Sequence, residues 1–259
     1  LKKIQPKRNP PIPLPNEISG KGRRNSAGCD LSDPLVREPL LKRLKSLERQ
    51  SWTARPTLGK GEGRPVTSPF DRRIELGTVF EPSADEVDHM VRAAHEAQIA
   101  WDALGGEARA RLLDRTADLF EEHREDFFSL CIREGGKTLP DAVLEVREAV
   151  DFLRFYASEG RRQFAGPLPL PGPTGEQNEL RLHGRGVFVC ISPWNFPLAI
   201  FTGPVAAALA AGNSAIAKPA EQTPLIGALA VELDDGKVGA ALTEHPGIAG
   251  VAFTGSTEV

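Results

Sequence analysis

Two polar segments carry the side chains in this chain that are best suited to chemistry. The first, residues 192–197, presents Asn195, whose amide can donate a hydrogen bond to a developing oxyanion without changing its charge. The second presents Lys218, an ammonium that can donate to sugar hydroxyls, and Glu221, a carboxylate that can accept from them. Simpler interpretations stay open: Asn195 could cap the following helix, and Lys218 with Glu221 could be a solvated pair at a helix start.

A third polar segment comes near the end of the chain. Gly255 and Ser256 follow the apolar run 248–253 and are placed to open a helix. Backbone N–H groups at a helix start, together with a serine hydroxyl, can bind a pyrophosphate. A lone Gly-Ser pair could equally be a simple turn. No GxGxxG motif occurs in the sequence.

The order of elements around these segments predicts how they are positioned. Each segment follows a short apolar run typical of a buried strand, and residues 198–211 form a small-residue run typical of a closely packed helix. Alternating strands and helices indicate a doubly wound α/β domain, whose ligands bind beyond the carboxyl ends of the strands. We therefore expect the polar segments to meet at one edge of a parallel sheet.

The same residues closely resemble the aldehyde dehydrogenase superfamily. In that family a PWNFP-type loop, a KPAEQTP segment and an FTGST segment follow successive strands, and this chain has them at residues 193–197, 218–224 and 253–257. One such peptide would be weakly specific, but all three in order are strongly specific. The resemblance extends back to about Val66 and includes residues 134–139, so it covers roughly three quarters of the chain.

The resemblance implies an aldehyde dehydrogenase-like α/β fold: an incomplete, doubly wound, Rossmann-type NAD-binding domain preceded by helical segments and a linker. It implies that Asn195 is the catalytic oxyanion donor. A carboxylate at Glu221 mildly favours NAD over NADP as the cofactor. The cofactor contacts that the resemblance implies are Ile191, Ser192, Pro193, Trp194, Lys218, Ala220, Glu221, Gly255 and Ser256.

The nucleophile that this family needs is not expected among the cysteines of the chain. Cys190 lies only five residues before Asn195, but it sits in an apolar run, where a cysteine is more often a protonated core residue. In the family, the catalytic cysteine and the general-base glutamate lie C-terminal to FTGST, which is beyond Val259. We therefore expect the chain alone to be inactive.

Within the superfamily, the chain most resembles the bifunctional proline utilization A family, which joins proline dehydrogenase to glutamate semialdehyde dehydrogenase. Residues 12–15 and 25–33 resemble the connector after the proline dehydrogenase barrel. This predicts residues 1–64 as a linker and 65–259 as the NAD-binding part of the aldehyde dehydrogenase domain. The implied reaction is NAD-dependent oxidation of glutamate semialdehyde (pyrroline-5-carboxylate) to glutamate, with FAD needed only where a proline dehydrogenase domain precedes. Alternatives are an inactive NAD-binding fragment, a piece that does not fold alone, and an aldehyde dehydrogenase for another substrate class.

The composition fits these expectations. The chain has 259 residues, is 40% hydrophobic and 26% charged, and carries a formal net charge of −3. Neither a nucleic-acid partner nor a membrane span is therefore indicated. Three cysteines and five histidines without metal-ligand spacing predict no metal site and a cytoplasmic location. The expected partners are a small aldehyde and, in the full-length protein, further copies of the same chain.

Patterning along the chain predicts further elements. Amphipathic helices are expected over residues 33–49, from Ser83 with a capping box to Glu86, over 107–133 as one long helix, and over 141–164. The aromatic residues of the last helix are expected to face the core: Phe152, Phe155 and Tyr156. Residues 180–183 are predicted as an edge strand. At residues 233–235 the sequence lacks the strand that the family would place there, which predicts an internal deletion or a sequence assembled with a gap.

Overall fold

The protein is described here by a computed structural model, which covers residues 12–14, 17–56, 58, 60–232 and 248–254. Its helices are α1 Pro34–Leu47, α2 Ala84–Ala103, α3 Gly105–Glu122, α4 Arg124–Arg133, α5 Leu139–Gln163, α6 Ala199–Ala210 and α7 Pro224–Glu232. Its strands are β1 Trp52–Ala54, β2 Glu62–Thr67, β3 Glu75–Glu81, β4 Leu168–Leu170, β5 Asn178–Leu180, β6 Val187–Ile191, β7 Ser214–Lys218 and β8 Ile248–Phe253.

A parallel sheet is formed by three strands from the second half of the chain. Its described strands are ordered β7-β6-β8, and both pairings of β6 are parallel. Helix α6 connects β6 to β7, as a parallel pair requires. Both β6 and β7 are buried apolar runs, as expected for strands covered by helices on their faces. The predicted strand-loop-helix order around residues 187–224 is confirmed.

Helices α3, α4 and α5 form a layer that packs against this part of the molecule. Helix α5 contacts both α3 and α6, so it links the helical layer to the sheet. Apolar residues spaced three or four apart on α5 form one buried face: Ala142, Val143, Val146, Ala149, Val150 and Leu153. Ser83 begins α2 with the predicted capping box to Glu86.

The prediction of one helix over residues 107–133 is wrong, because the chain bends at His123. His123 has φ −104° and ψ 19°, so it separates α3 from α4. In a continuous helix, residues seven apart would be separated by about 10 Å along the axis. The bend brings the buried rings of Phe120 and Phe127 to a centroid distance of 4.8 Å. The two rings therefore pack against each other across the bend, which a continuous helix would not allow.

Two smaller expectations also need correction. Phe155 does not face the core as predicted: it is 41% exposed, and the guanidinium of Arg23 lies 5.3 Å from its ring centroid. The edge strand expected at residues 180–183 is instead Asn178–Leu180, which pairs with Leu168–Leu170 in an antiparallel hairpin. Hydrophobic spacing alone located neither the exposed position of Phe155 nor the pairing partner of the strand.

The described part of the segment before residue 64 is packed against the helices. The backbone N–H and the hydroxyl of Ser26 donate to Asp151 of α5 at 2.7 and 3.1 Å. Leu40 and Leu47 of α1 are buried in the core, and β1 pairs in parallel with β3. The predicted boundary at residue 64 falls inside β2. The division into a linker and a dehydrogenase part stays a prediction.

Among the helices that the structure describes, none has both the length and the apolar composition needed to cross a bilayer. Within the same described ranges, no cluster of three or more His, Cys, Asp or Glu side chains is arranged to hold a metal ion. The expected deletion at residues 233–235 lies outside the described residues.

Candidate cofactor and oxyanion site

The carboxyl ends of the three parallel strands lie side by side. Ile191, the last residue of β6, is in register with Lys218 on one side and with Phe253 on the other. Just beyond the strands, the Ser192 N–H donates to the carbonyl of Lys218 at 3.2 Å, and the Thr254 N–H donates to the carbonyl of Ile191 at 3.1 Å. The polar segments therefore leave the sheet at one edge, as the sequence predicted.

Asn195 lies in the exposed loop between β6 and α6. Its side chain has no hydrogen-bond partner among the described residues, and it does not cap α6, which has no side-chain cap from its own N-cap residue, Leu198. The Leu198 and Ala199 N–H groups instead donate to Glu145 of α5 at 3.2 and 2.9 Å. The capping alternative is thus occupied by another residue, and the Asn195 amide stays available to a ligand.

The neighbours of Asn195 supply both an anchor and an apolar surface. Ser192 is buried, and its hydroxyl lies 3.4 Å from the Lys218 carbonyl, which ties the base of the loop to β7. Trp194 and Phe196 are 56% and 44% exposed, so the tip of the loop presents apolar surface to solvent. Pro193, between Ser192 and Trp194, is half-buried. The loop therefore has a fixed base and an open tip.

The second loop presents Lys218 and Glu221 without an ion pair between them. Lys218 is half-buried, and its ammonium donates to the neighbouring carbonyl of Pro219 at 3.3 Å. Glu221 is exposed, and its carboxylate has no partner among the described residues. The loop is closed by the Thr223 N–H, which donates to the carbonyl of Ala220 at 3.0 Å. Both charged groups can therefore reach a ligand at this edge.

An arginine that sequence reasoning missed lies beside this loop. Arg64 of β2 donates from Nη2 to the backbone carbonyl of Glu221 at 3.2 Å. The same guanidinium donates from Nε to Glu81 at 2.6 Å. The antiparallel pairing of β2 with β3 thus places Arg64, which is already paired with Glu81, next to Glu221. A long-range contact of this kind leaves no trace in local sequence patterns.

Two buried glutamates of the helical layer also belong to the surroundings of the site. Glu145 accepts from the first amides of α6, and Glu134 accepts from the Leu225 and Ile226 N–H groups of α7 at 2.7 and 2.9 Å. Desolvation raises the pKa of Glu134 to about 8, against the opposing effect of its two hydrogen bonds. The sequence feature that could have identified Glu145 is the position of this carboxylate within the apolar face of α5.

None of the three cysteines is an activated thiol. Burial raises the pKa of Cys190 to about 12 and raises the pKa of Cys131 well above its ordinary value. Cys29 is half-buried, and desolvation raises its pKa as well. The interpretation of Cys190 as a protonated core residue is confirmed. Gly255 and Ser256 lie outside the described residues, so their predicted pyrophosphate contacts stay predictions.

The sequence model of the aldehyde dehydrogenase family matches residues 57–259, which is most of the chain. The chain belongs to the aldehyde dehydrogenase family. Members of this family are oxidoreductases that act on small aldehydes with NAD(P). The recognition made from three loop motifs is therefore confirmed, and so is the aldehyde dehydrogenase-like α/β fold.

Individual proteins agree with this assignment. The bifunctional protein PutA of Escherichia coli (strain K12) is 42% identical over 271 residues, which cover 97% of this chain and 20% of that protein. A crystal structure of a mutant of Bradyrhizobium japonicum proline utilization A (PutA) matches with a TM-score of 0.80 and 40% identity, covering 96% of this chain and 24% of that one. A Thermus 1-pyrroline-5-carboxylate dehydrogenase with bound NAD matches with a TM-score of 0.74 and 26% identity, covering 97% and 46%.

The chain thus spans about a fifth of the length of the PutA relatives that it matches. The 271 aligned positions exceed the 259 residues of this chain, so the relative has residues there without a counterpart. A deletion near residues 233–235 would produce such a difference. Its location stays a prediction.

Proposed function

We propose that this chain forms the cofactor-binding and oxyanion-stabilising part of an enzyme that oxidises glutamate semialdehyde (pyrroline-5-carboxylate) to glutamate with NAD. The observation that carries the proposal is the Asn195 amide, which has no partner among the described residues and lies at the carboxyl edge of the parallel sheet. An unpaired donor on a loop with a fixed base needs little reorganisation to meet a developing charge. The activity is proposed for the full-length protein that carries this chain.

The residues at this edge fit a dinucleotide. Trp194 offers an exposed apolar surface, while Lys218 and Glu221 offer a donor and an acceptor for ribose hydroxyls. Backbone groups of Ile191, Ser192, Pro193 and Ala220 line the same edge, and Gly255 with Ser256 would meet the pyrophosphate. Bound NAD supplies the hydride acceptor. The chain's own contribution is to bind and orient the cofactor beside Asn195.

Asn195 acts on the substrate oxygen. When a thiolate adds to an aldehyde carbonyl, negative charge develops on that oxygen, and an amide N–H directed at it lowers the barrier. The buried Cys190, with its pKa raised to about 12, does not supply this thiolate. The family resemblance assigns the nucleophile and the general base to residues beyond FTGST. Asn195 is thus the catalytic residue of this chain.

NAD is the proposed cofactor because the Glu221 carboxylate has no partner within the part of the chain that the structure describes. A carboxylate at the ribose accepts hydrogen bonds from its hydroxyls and repels a 2′-phosphate. Of the two nearby cations, Lys218 is assigned to the ribose hydroxyls, and Arg64 is neutralised by Glu81, which lies 2.6 Å from its Nε. The electrostatics of the described residues therefore favour NAD over NADP.

Glutamate semialdehyde is the proposed substrate because relatives named PutA and 1-pyrroline-5-carboxylate dehydrogenase match nearly the whole chain. The test is NADH formation by the purified full-length protein, offered glutamate semialdehyde, succinate semialdehyde and an uncharged aldehyde of similar length. We expect the highest kcat/KM with glutamate semialdehyde. A preference for either of the other aldehydes would assign a different substrate class, and no turnover with any aldehyde would support the inactive NAD-binding alternative.

A further inference from the structure

A buried ion pair lies directly behind the loop that carries Asn195. The Glu145 side chain is 1% exposed, the Lys137 side chain is 14% exposed, and Lys137 Nζ lies 2.9 Å from Glu145 Oε1. Nothing in the proposed reaction uses either charge. Buried ion pairs often add little net stability compared with apolar residues of similar size, so stability alone does not account for this one.

The pair contacts the loop at three points. Glu145 Oε2 accepts from the Leu198 and Ala199 N–H groups at 3.2 and 2.9 Å, which fixes the start of α6. Lys137 Nζ lies 4.7 Å from the centroid of the Phe196 ring, within the range of a cation–π contact. The contacted residues follow Asn195 by one, three and four positions. The pair thus fixes the chain immediately after the catalytic amide.

The turn between α4 and α5 sets the position of Lys137. Gly136 has φ +66°, a left-handed conformation that glycine adopts without strain, and it turns the chain after α4. The Lys137 N–H then donates to the Cys131 carbonyl at 3.1 Å. Helix α5 begins at Leu139 and places Glu145 on its apolar face. Lys137 and Glu145 are therefore both held on rigid parts of the helical layer.

We propose that Lys137 and Glu145 are positioning residues that hold the Asn195 amide in its reactive orientation through Phe196 and the first turn of α6. The inference rests on the proposed role of Asn195. The Asn195 side chain has no partner of its own among the described residues, so its orientation depends on the backbone that carries it. An amide that is misplaced by about 1 Å loses much of its effect on a transition state, by up to ~10²-fold.

A double-mutant cycle on the full-length protein tests the proposal. The four proteins are the wild type, Lys137→Met, Asn195→Ala and the double variant, and kcat, aldehyde KM and NAD affinity are measured for each. We expect Lys137→Met to lower kcat ~10–10²-fold in the wild-type background, with little change in NAD affinity. In the Asn195→Ala background it should change kcat by less than about 3-fold, because residues that act through one group are not additive.

Three further variants guard against loss of the fold. Phe196→Leu removes the aromatic face at an exposed position and leaves both members of the buried pair in place, and it should lower kcat with the same non-additivity. Glu122→Gln removes one partner of the exposed Arg115–Glu122 pair and serves as the control for Glu145→Gln. We expect Glu145→Gln to lower kcat and Glu122→Gln to leave it unchanged.

The outcomes distinguish failure of the positioning inference from failure of the proposed role of Asn195. If Lys137→Met and Phe196→Leu each lower kcat by the same factor with and without Asn195, the pair acts independently of Asn195, and the positioning inference is wrong. Wild-type kcat in both variants would overturn the inference as well. If Asn195→Ala alone retains near-normal turnover, the role of Asn195 fails and the inference fails with it.

Discussion

The side chains of Asn195 and Glu221 have no hydrogen-bond or ion-pair partner among the described residues. Their residue types and their places after strands were readable from the sequence. That the Asn195 amide is unpaired was not readable, because the competing acceptor at the start of α6 is Glu145, which lies about fifty residues earlier in the chain. Local patterns predict which residues reach the sheet edge, and long-range contacts decide which of them stay available.

Glu221 should set the cofactor preference. Replacing it with glutamine removes the charge that repels a 2′-phosphate while keeping the side-chain size, so Glu221→Gln should weaken NAD binding and strengthen NADP binding relative to wild type. Calorimetric titration with both nucleotides measures the change. Glu179→Gln, on the exposed hairpin, is the matched control. Unchanged affinities for both nucleotides in Glu221→Gln would show that this carboxylate is only a solvated helix-start residue.

Cys190 and Cys131 should be chemically inert in the folded protein. Both are buried, and the pKa of each thiol is raised, so almost no thiolate is present near neutral pH. We expect iodoacetamide to modify Cys29 first and the two buried thiols only after unfolding in urea, as mapped by peptide mass spectrometry. Rapid alkylation of Cys190 in the folded protein would mean that this thiol is reactive and could act as the nucleophile.

Among the elements, strands and caps were predicted better than helix continuity. The strands before each polar loop are apolar runs with clear ends, and the Ser83–Glu86 cap is a local signal. The bend at His123 was missed because hydrophobic periodicity continues across it. The reason for the bend is the packing of Phe120 on Phe127, which depends on the tertiary structure.

The start of α7 makes the stability of the protein depend on pH. Desolvation raises the pKa of Glu134 from its ordinary value of 4.5 to about 8. Between these values the folded state holds a proton that the unfolded state releases. Stability from this group is therefore complete below pH 4.5 and decreases as pH rises toward 8, by at most ~1.4 kcal/mol per pH unit.

Replacing Glu134 with the neutral glutamine should remove this dependence. We expect the urea midpoint of Glu134→Gln to change less between pH 5 and pH 8 than that of the wild type, although the variant loses one acceptor for the α7 amides. Glu122→Gln, on an exposed surface, should keep the wild-type slope. Identical slopes for wild type and Glu134→Gln would mean that Glu134 is already ionised across this range.

At the scale of the whole molecule, the described part of the segment before residue 64 is held by the sheet and the helices. Gly77 of β3 pairs with Trp52, and an added Cβ would overlap the Trp52 carbonyl. Gly77→Ala should therefore loosen β1, at a cost of ~1–3 kcal/mol. Gly22→Ala is the control, because nothing lies within 4 Å of its Cβ position.

Limited trypsin digestion measures the effect of Gly77→Ala. The basic residues of α1 should resist cleavage in the wild type and in Gly22→Ala, and should become accessible in Gly77→Ala. Rapid cleavage within α1 in the wild type would instead support the original interpretation of residues 1–64 as a linker. The composition of this segment, rich in proline, glycine and basic residues, predicted the linker without revealing the strand and helix contacts.

The claim that joins these scales is that the sheet edge presents Asn195 to the substrate oxygen. The most direct test is the turnover of Asn195→Ala in the full-length protein, measured as NADH formation at saturating NAD and glutamate semialdehyde. The account predicts a loss of ~10²–10³ in kcat with NAD affinity nearly unchanged, because a single oxyanion donor is removed. Asn178→Ala, on the exposed hairpin, should retain wild-type turnover. A kcat of Asn195→Ala within about 3-fold of wild type would contradict the account, since oxyanion donors contribute far more than that.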